Sequence, residues 1–186
     1  LRCLVGSEMC IRDRLNCYYC ISIIEIMTTS TQIQQDIETR VAGWVQTYAD
    51  TITENYRRYH INTLEGNLSG NYPEYAREQL DAIENGTANL MKFVVKTGKR
   101  YYKIIQQEFE TWEQSKYYGQ YRNGSVHCFV DKETGDVYKP ASWQAPAKHI
   151  RFSFQNVEDL KFLLNPDNVG WACLLYTSPS PRDIGE

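Results

Sequence analysis

The sequence predicts an α+β fold: a long amphipathic N-terminal helix and a shorter one, then a small antiparallel sheet of three to five strands with a short C-terminal helix. Three observations carry this. Ile33, Ile37, Val41, Trp44, Val45, Tyr48, Ile52, Tyr56 and Tyr59 recur at steps of three and four, the spacing of one helical face. From Leu90 onward the pattern turns to short runs of β-branched and aromatic residues. Between Ser125 and Lys139 two such runs flank Asp131-Lys132-Glu133-Thr134-Gly135-Asp136, a hairpin loop in which Gly135 takes a positive φ cheaply.

The first helix is expected from Thr31 to Leu64. Ser30 or Thr31 caps its start, and Asp36 and Glu38 suit the positive end of the helix dipole. Gly43 costs about 1 kcal/mol relative to alanine, which a stripe of this length absorbs. So long a stripe can pack on a second copy of the chain as well as on its own sheet. A loop, Glu65 to Asn71, leads to a second helix that opens on Pro73, turns Tyr75 or Ala76, Leu80 and Ile83 inward, and stops at Asn85-Gly86.

Leu90 to Lys96 and Arg100 to Phe109 are strand candidates joined by a turn at Thr97-Gly98-Lys99. Glu108 to Asn123 fits either an extended strand or a loop with Tyr117, Tyr118 and Tyr121 packed over the sheet. The hairpin strands follow. On strict alternation Val126, Cys128 and Val130 share one face, with His127 and Phe129 on the other. Pro140 lacks a donor and ends the return strand, and Ser142 to Pro146 is irregular. His149 to Phe154 alternates as a short fifth strand. Ser153 or Asn156 caps a last helix over Val157 to Leu164.

The two ends read as something other than protein design. A DNA string encoding Cys173 to Asp183, CLLYTSPSPRD, encodes LVGSEMCIRD, Leu4 to Asp13, on its opposite strand. Both ends thus read as one DNA segment translated in two directions, a segment that resembles a transposon-library sequencing adapter. Residues 14–26 read as translated upstream DNA, with Met27 as the expected start. Residues 1–26 and 173–186 are therefore expected to be unfolded artefact. A helical region, 27–87, and a sheet region, 88–172, are expected to form one domain.

Five of the six cysteines lie in those ends, which leaves Cys128 and no intrachain disulfide framework, as suits a reducing compartment. Cys17-x-x-Cys20 has the spacing of half a zinc site or of a redox pair, but there is no second pair. No run of residues spans a bilayer, so no membrane partner is expected. Met27 to Thr87 carries four basic and nine acidic side chains, net −5. Ala88 to Arg151 carries eleven and six, net +5. A basic back half suits self-association with the acidic front, or a binding face for a polyanion.

No phosphate loop, dinucleotide motif, zinc quartet or nucleophile elbow is present, so neither an enzyme nor a cofactor is expected. Cys128 reads as a small buried hydrophobe, since alternation turns it away from His127. Asp131, Glu133 and Asp136 read as solvated turn carboxylates. One constellation points to binding. Lys99, Arg100, Tyr101, Tyr102 and Lys103 adjoin, and Lys132, Lys139, Trp143, Lys148 and Arg151 can lie across the sheet from them. Cations neutralise phosphates and exposed rings stack on bases, which is how single-stranded nucleic acid is often held. The competing reading makes Tyr102, Ile104 and Trp143 core and leaves the lysines to keep a sheet edge soluble.

The wording of Tyr101 to Ile105, Ser125 to Lys132, Thr134 to Trp143 and Ala145 to Lys148 resembles small uncharacterised proteins of marine tailed phages, especially those of cyanobacteria. In that family an alanine commonly stands at the position of Cys128. The resemblance implies an infected bacterial cell as the setting, in the host cytoplasm or in the virion, and carries no known activity. The expected function is a non-enzymatic accessory protein that binds a host or phage macromolecule. The alternatives are single-stranded nucleic-acid binding through the basic aromatic sheet, and assembly of like copies through the N-terminal helix.

Overall fold

The computed structural model of the 186-residue chain describes residues 7–169, with side chains from Thr31 on. The chain divides into two units, Leu1–Arg40 and Val41–Glu186. Helix α1, Ser7–Asn67, begins well before the expected Thr31. No proline lies in the sequence before Pro73, and no glycine lies between Ser7 and Gly43, so nothing local stops a helix there. The backbone from Ser7 to Ile26 is thus helical where an unfolded stretch was expected. Residues 1–6 and 173–186 lie outside the described residues.

In the second unit α1 turns Val41, Val45, Tyr48, Ala49 and Ile52 fully inward. The stripe is narrower than its spacing predicts: Tyr59 is exposed, as is Ile33 in the first unit. Helix α2, Pro73–Glu84, has proline in its first turn and ends at Asn85, with Gly86 at φ 71°. Ala76 rather than Tyr75 faces in, joining Leu64 and Ile83 in a cluster ringed by Ile61, Leu68, Leu80, Ala88 and Leu90.

The sheet is an antiparallel meander in chain order: β1 (Lys92–Thr97), β2 (Tyr101–Phe109), β3 (Tyr121–Asp131), β4 (Asp136–Pro140) and β5 (Pro146–Ser153). Five strands is the upper end of the expected range. β3 starts four residues earlier than the hairpin chemistry suggests, because Tyr121, Arg122 and Asn123 pair with Phe109, Glu108 and Gln107. The segment between β2 and β3 is a loop. Its rings do not pack over the sheet: Trp112, Tyr117 and Tyr118 are exposed. Helix α3, Val157–Leu163, is capped by Asn156, whose Oδ1 accepts from the Glu158 and Asp159 amides (2.9 and 3.4 Å). Beyond it, Asn55 Nδ2 donates to the Pro166 carbonyl and Arg58 to Asp167 (2.9 Å), tying the chain back to α1.

A β-bulge corrects the strict alternation of β3. Ile104 pairs with Cys128 but Ile105 pairs with Val126, so β3 advances two residues for one on β2 and His127 is the extra residue. The His127 ring lies against Phe93 (5.3 Å) and Tyr48 of α1 (6.1 Å), while Phe129 lies against Tyr101 (6.1 Å). His127 and Cys128 therefore share the helix-facing side instead of facing apart, and Val126 joins Phe129 on the other. His127 Nε2 is 3.4 Å from the Tyr48 hydroxyl, and its buried Nδ1 has no hydrogen-bond partner among the described residues. Both His127 and the Cys128 thiol are buried.

The hairpin turn also differs from expectation at Asp131. Its side chain is 2% exposed, where a solvated turn carboxylate was expected. It accepts from Arg100 Nε (2.9 Å) and from the Glu133 amide (3.0 Å), so the buried charge is paired. Gly135 has φ 73°, and a Cβ there meets Val41 Cγ2 at 3.3 Å and Phe154 Cβ at 3.4 Å. We expect Gly135→Ala to cost about 1–3 kcal/mol, from the left-handed backbone and the crowding together. Gly43→Ala, in a helix with open space around the position, is expected to gain about 0.5–1 kcal/mol. Urea midpoints at unchanged m-value check both.

Candidate functional site

The β1–β2 turn is tight. The Gly98 amide donates to the Tyr101 carbonyl (2.8 Å), which puts Lys99 and Arg100 at the hairpin tip. A Cβ on Gly98 falls 2.9 Å from that same carbonyl oxygen, so only glycine lets the two strands close there. The tip is anchored from the side. The Lys132 amide donates to the Arg100 carbonyl (3.1 Å), and the Arg100 guanidinium holds the buried Asp131 carboxylate. That hydrogen bond, with the neighbouring negative charge, raises the Arg100 pKa further above its usual range.

The β4–β5 connection comes over from the far side. Ala141 and Ser142 amides donate to the Ala145 carbonyl (3.0 and 3.1 Å), and Ser142 Oγ accepts from the Gln144 and Ala145 amides (3.2 and 3.1 Å). This small self-bonded loop sets Trp143 beside Lys103. Lys103 Nζ lies 5.3 Å from the centroids of both Phe129 and Trp143 and donates to the Trp143 carbonyl (2.5 Å).

Between tip and loop lies a cleft of about 420 Å³. Ile105 and Phe129 line it as buried apolar residues, and Lys96, Lys99, Arg100, Tyr101 and Trp143 supply charge and rings. Trp143 is 44% exposed, which corrects the reading of it as core; Ile104, by contrast, is fully buried. Lys96 and Lys99 form no ion pair among the described residues. Cations, flat rings and an apolar floor in one recess can hold a ligand that is anionic and aromatic at once.

Of the sequence-predicted residues, Lys99, Arg100, Tyr101, Lys103 and Trp143 line this cleft. Lys132, Lys139, Lys148 and Arg151 do not. Lys132 Nζ lies instead over the Tyr102 ring (5.1 Å), and Lys148 and Arg151 belong to the outer strand β5. Sequence reasoning left out Lys96, Gly98 and Phe129. Lys96 was legible in principle, since its partner across the β1–β2 ladder is Lys103. Among the described residues no group of His, Cys, Asp and Glu is placed to hold a metal ion, and no helix is long and apolar enough to cross a membrane.

Two outcomes follow from this geometry. Gly98→Ala is expected to displace the tip and cost about 1–3 kcal/mol in a urea titration. Beside the cleft, the Tyr138 ring packs on Tyr101 (6.1 Å). Burial first, then the carboxylates of Asp136 and Asp131, hold its phenol above the ordinary 10.0. A proton held more tightly in the folded state stabilises the fold below the unfolded-state pKa, and that contribution is lost as pH rises through the folded-state value. Tyr138→Phe is therefore expected to flatten the alkaline fall in stability above about pH 10, read from unfolding midpoints against pH.

Comparison with known proteins places the chain by its sequence. No curated protein and no solved structure matches it significantly. A protein-family model matches residues 25–177, which takes in α2, α3, the whole sheet and both walls of the cleft. The chain belongs to that family, DUF7717, a family of unknown function.

Proposed function

We propose that this chain is a non-enzymatic binding module whose target is a single-stranded nucleic acid, taken along the cleft between the β1–β2 tip and the β4–β5 loop. The observation that carries this reading is the meeting of Lys96, Lys99 and Arg100 with the rings of Tyr101 and Trp143 in one recess. Phosphates need cations and unstacked bases need flat surfaces, and a duplex offers its bases to neither ring. The similarity of wording to phage proteins supports an infected bacterial cell as the setting, where single strands arise during genome replication.

A labelled oligothymidylate titrated into the full chain tests the reading by fluorescence anisotropy. Three cations facing phosphates predict that log K falls against log salt with a slope of about −2, since each single-strand contact contributes about −0.7. Lys96→Ala with Lys99→Ala is expected to bring the slope to about −0.7. Absence of binding at low salt would remove the reading.

A further inference from the structure

Lys103 lies against both the Phe129 floor and the Trp143 wall of the cleft, and its ammonium is already engaged. It donates to the Trp143 carbonyl and lies between the faces of Phe129 and Trp143. A phosphate drawing it away would break the hydrogen bond and both ring contacts. The exposed Lys96 and Lys99 carry no such cost. Arg100 is intermediate: Nε is held by Asp131, while the side chain as a whole is 66% exposed. The loop that carries Trp143 is closed by its own hydrogen bonds, so the ring is ordered before any ligand arrives, which lowers the entropy cost of stacking on it. The volume, about 420 Å³, falls in the range of small-molecule sites and is that of a recess for one ring system with its phosphate.

We infer that the cleft is a single-nucleotide subsite in which one base stacks on Trp143 and its phosphate is taken by Lys96 and Lys99, with Lys103 acting as the positioning residue for Trp143. This deepens the nucleic-acid reading and rests on it. Charge recognition and base recognition are thereby assigned to different side chains: the β1–β2 tip measures phosphate, and the Lys103-clamped loop measures the ring.

The probes are adenosine 5′-monophosphate, adenosine and inorganic phosphate, each titrated into the full chain and read by tryptophan fluorescence, beside the anisotropy assay with the oligonucleotide. The monophosphate is expected to quench fluorescence and displace the oligonucleotide, with adenosine and phosphate each at least tenfold weaker. Trp143→Ala is expected to weaken the monophosphate roughly tenfold or more. Lys99→Ala should reduce the oligonucleotide's salt slope by about 0.7 and shift the monophosphate titration to higher concentration, with the quenching at saturation intact. Lys103→Met should do the reverse, losing the quenching with the slope unchanged. A Lys103→Met chain that loses slope as Lys99→Ala does makes Lys103 a phosphate ligand and overturns the inference. If the oligonucleotide binds wild type but the monophosphate neither quenches nor competes, the subsite is wrong and the nucleic-acid reading stands. If neither binds at low salt, both fall. Circular dichroism of each variant separates lost binding from lost fold, and the wild-type titrations decide the question without any variant.

Discussion

The second half of β3 is buried on both faces, and most of the fold answers that constraint. From Val126 to Asp131 no residue keeps more than a trace of exposure, although the strand carries a histidine and an aspartate among its apolar residues. On one side Tyr48 of α1 closes over His127, and Val41, Val45 and Ile52 add an apolar helix face. On the other side Phe129 needs cover, and it receives the Tyr101 ring and the stem and ammonium of Lys103. Each buried apolar side chain of this size contributes about 1.5–3 kcal/mol. Covering both faces of β3 therefore outweighs any single turn or cap. The cleft is a by-product of that arrangement: its floor is the core of the second face, and its walls are the two connections that rise beside it.

The bulge at His127 is what allows two covered faces with this sequence. Without it, Cys128 and Val130 would share a side with Val126, and His127 would sit beside Phe129. With it, Val126 and Phe129 meet one layer while His127, Cys128 and Val130 meet the other. A bulge leaves no reliable mark on a single sequence, because the residues on either side of it still read as an alternating strand. That is why the order of elements was legible while the side each residue faces was not. Helices and strands follow from periodicity, and turns follow from glycine, proline and asparagine at fixed offsets. The facing of His127 follows from the pairing of Val126 with Ile105 and of Cys128 with Ile104, on a strand remote in sequence.

The same division holds for the cleft. The run Lys99 to Lys103 announces itself by composition, and Lys99, Arg100, Tyr101 and Lys103 of that run line the recess, as does Trp143. Lys132 in the hairpin turn, Lys139 on β4, and Lys148 and Arg151 on β5 lie outside it, placed by the register of strands beyond that run. The carboxylate of Asp131 was misread for a related reason. Acids in hairpin turns usually face water, and only the contacts with the Arg100 guanidinium and the Glu133 amide show that this one is enclosed and bridges two turns. Gly98 is read from the distance to the Tyr101 carbonyl, a quantity no sequence pattern carries. The early start of α1 has the opposite origin: no proline or glycine interrupts the sequence there, and the helix runs on through residues whose codons suggested no fold.

Under the proposed function the recognition surface is the recess between the hairpin tip and the tryptophan loop, not the exposed rings of Trp112, Tyr117 and Tyr118 between β2 and β3. Hydrogen–deuterium exchange of the full chain, with and without saturating oligonucleotide, tests it most directly. Protection is expected at residues 96–103 and 141–145, with 110–120 unchanged. Protection confined to 110–120, or none at either wall of the cleft once the strand is bound, contradicts the account.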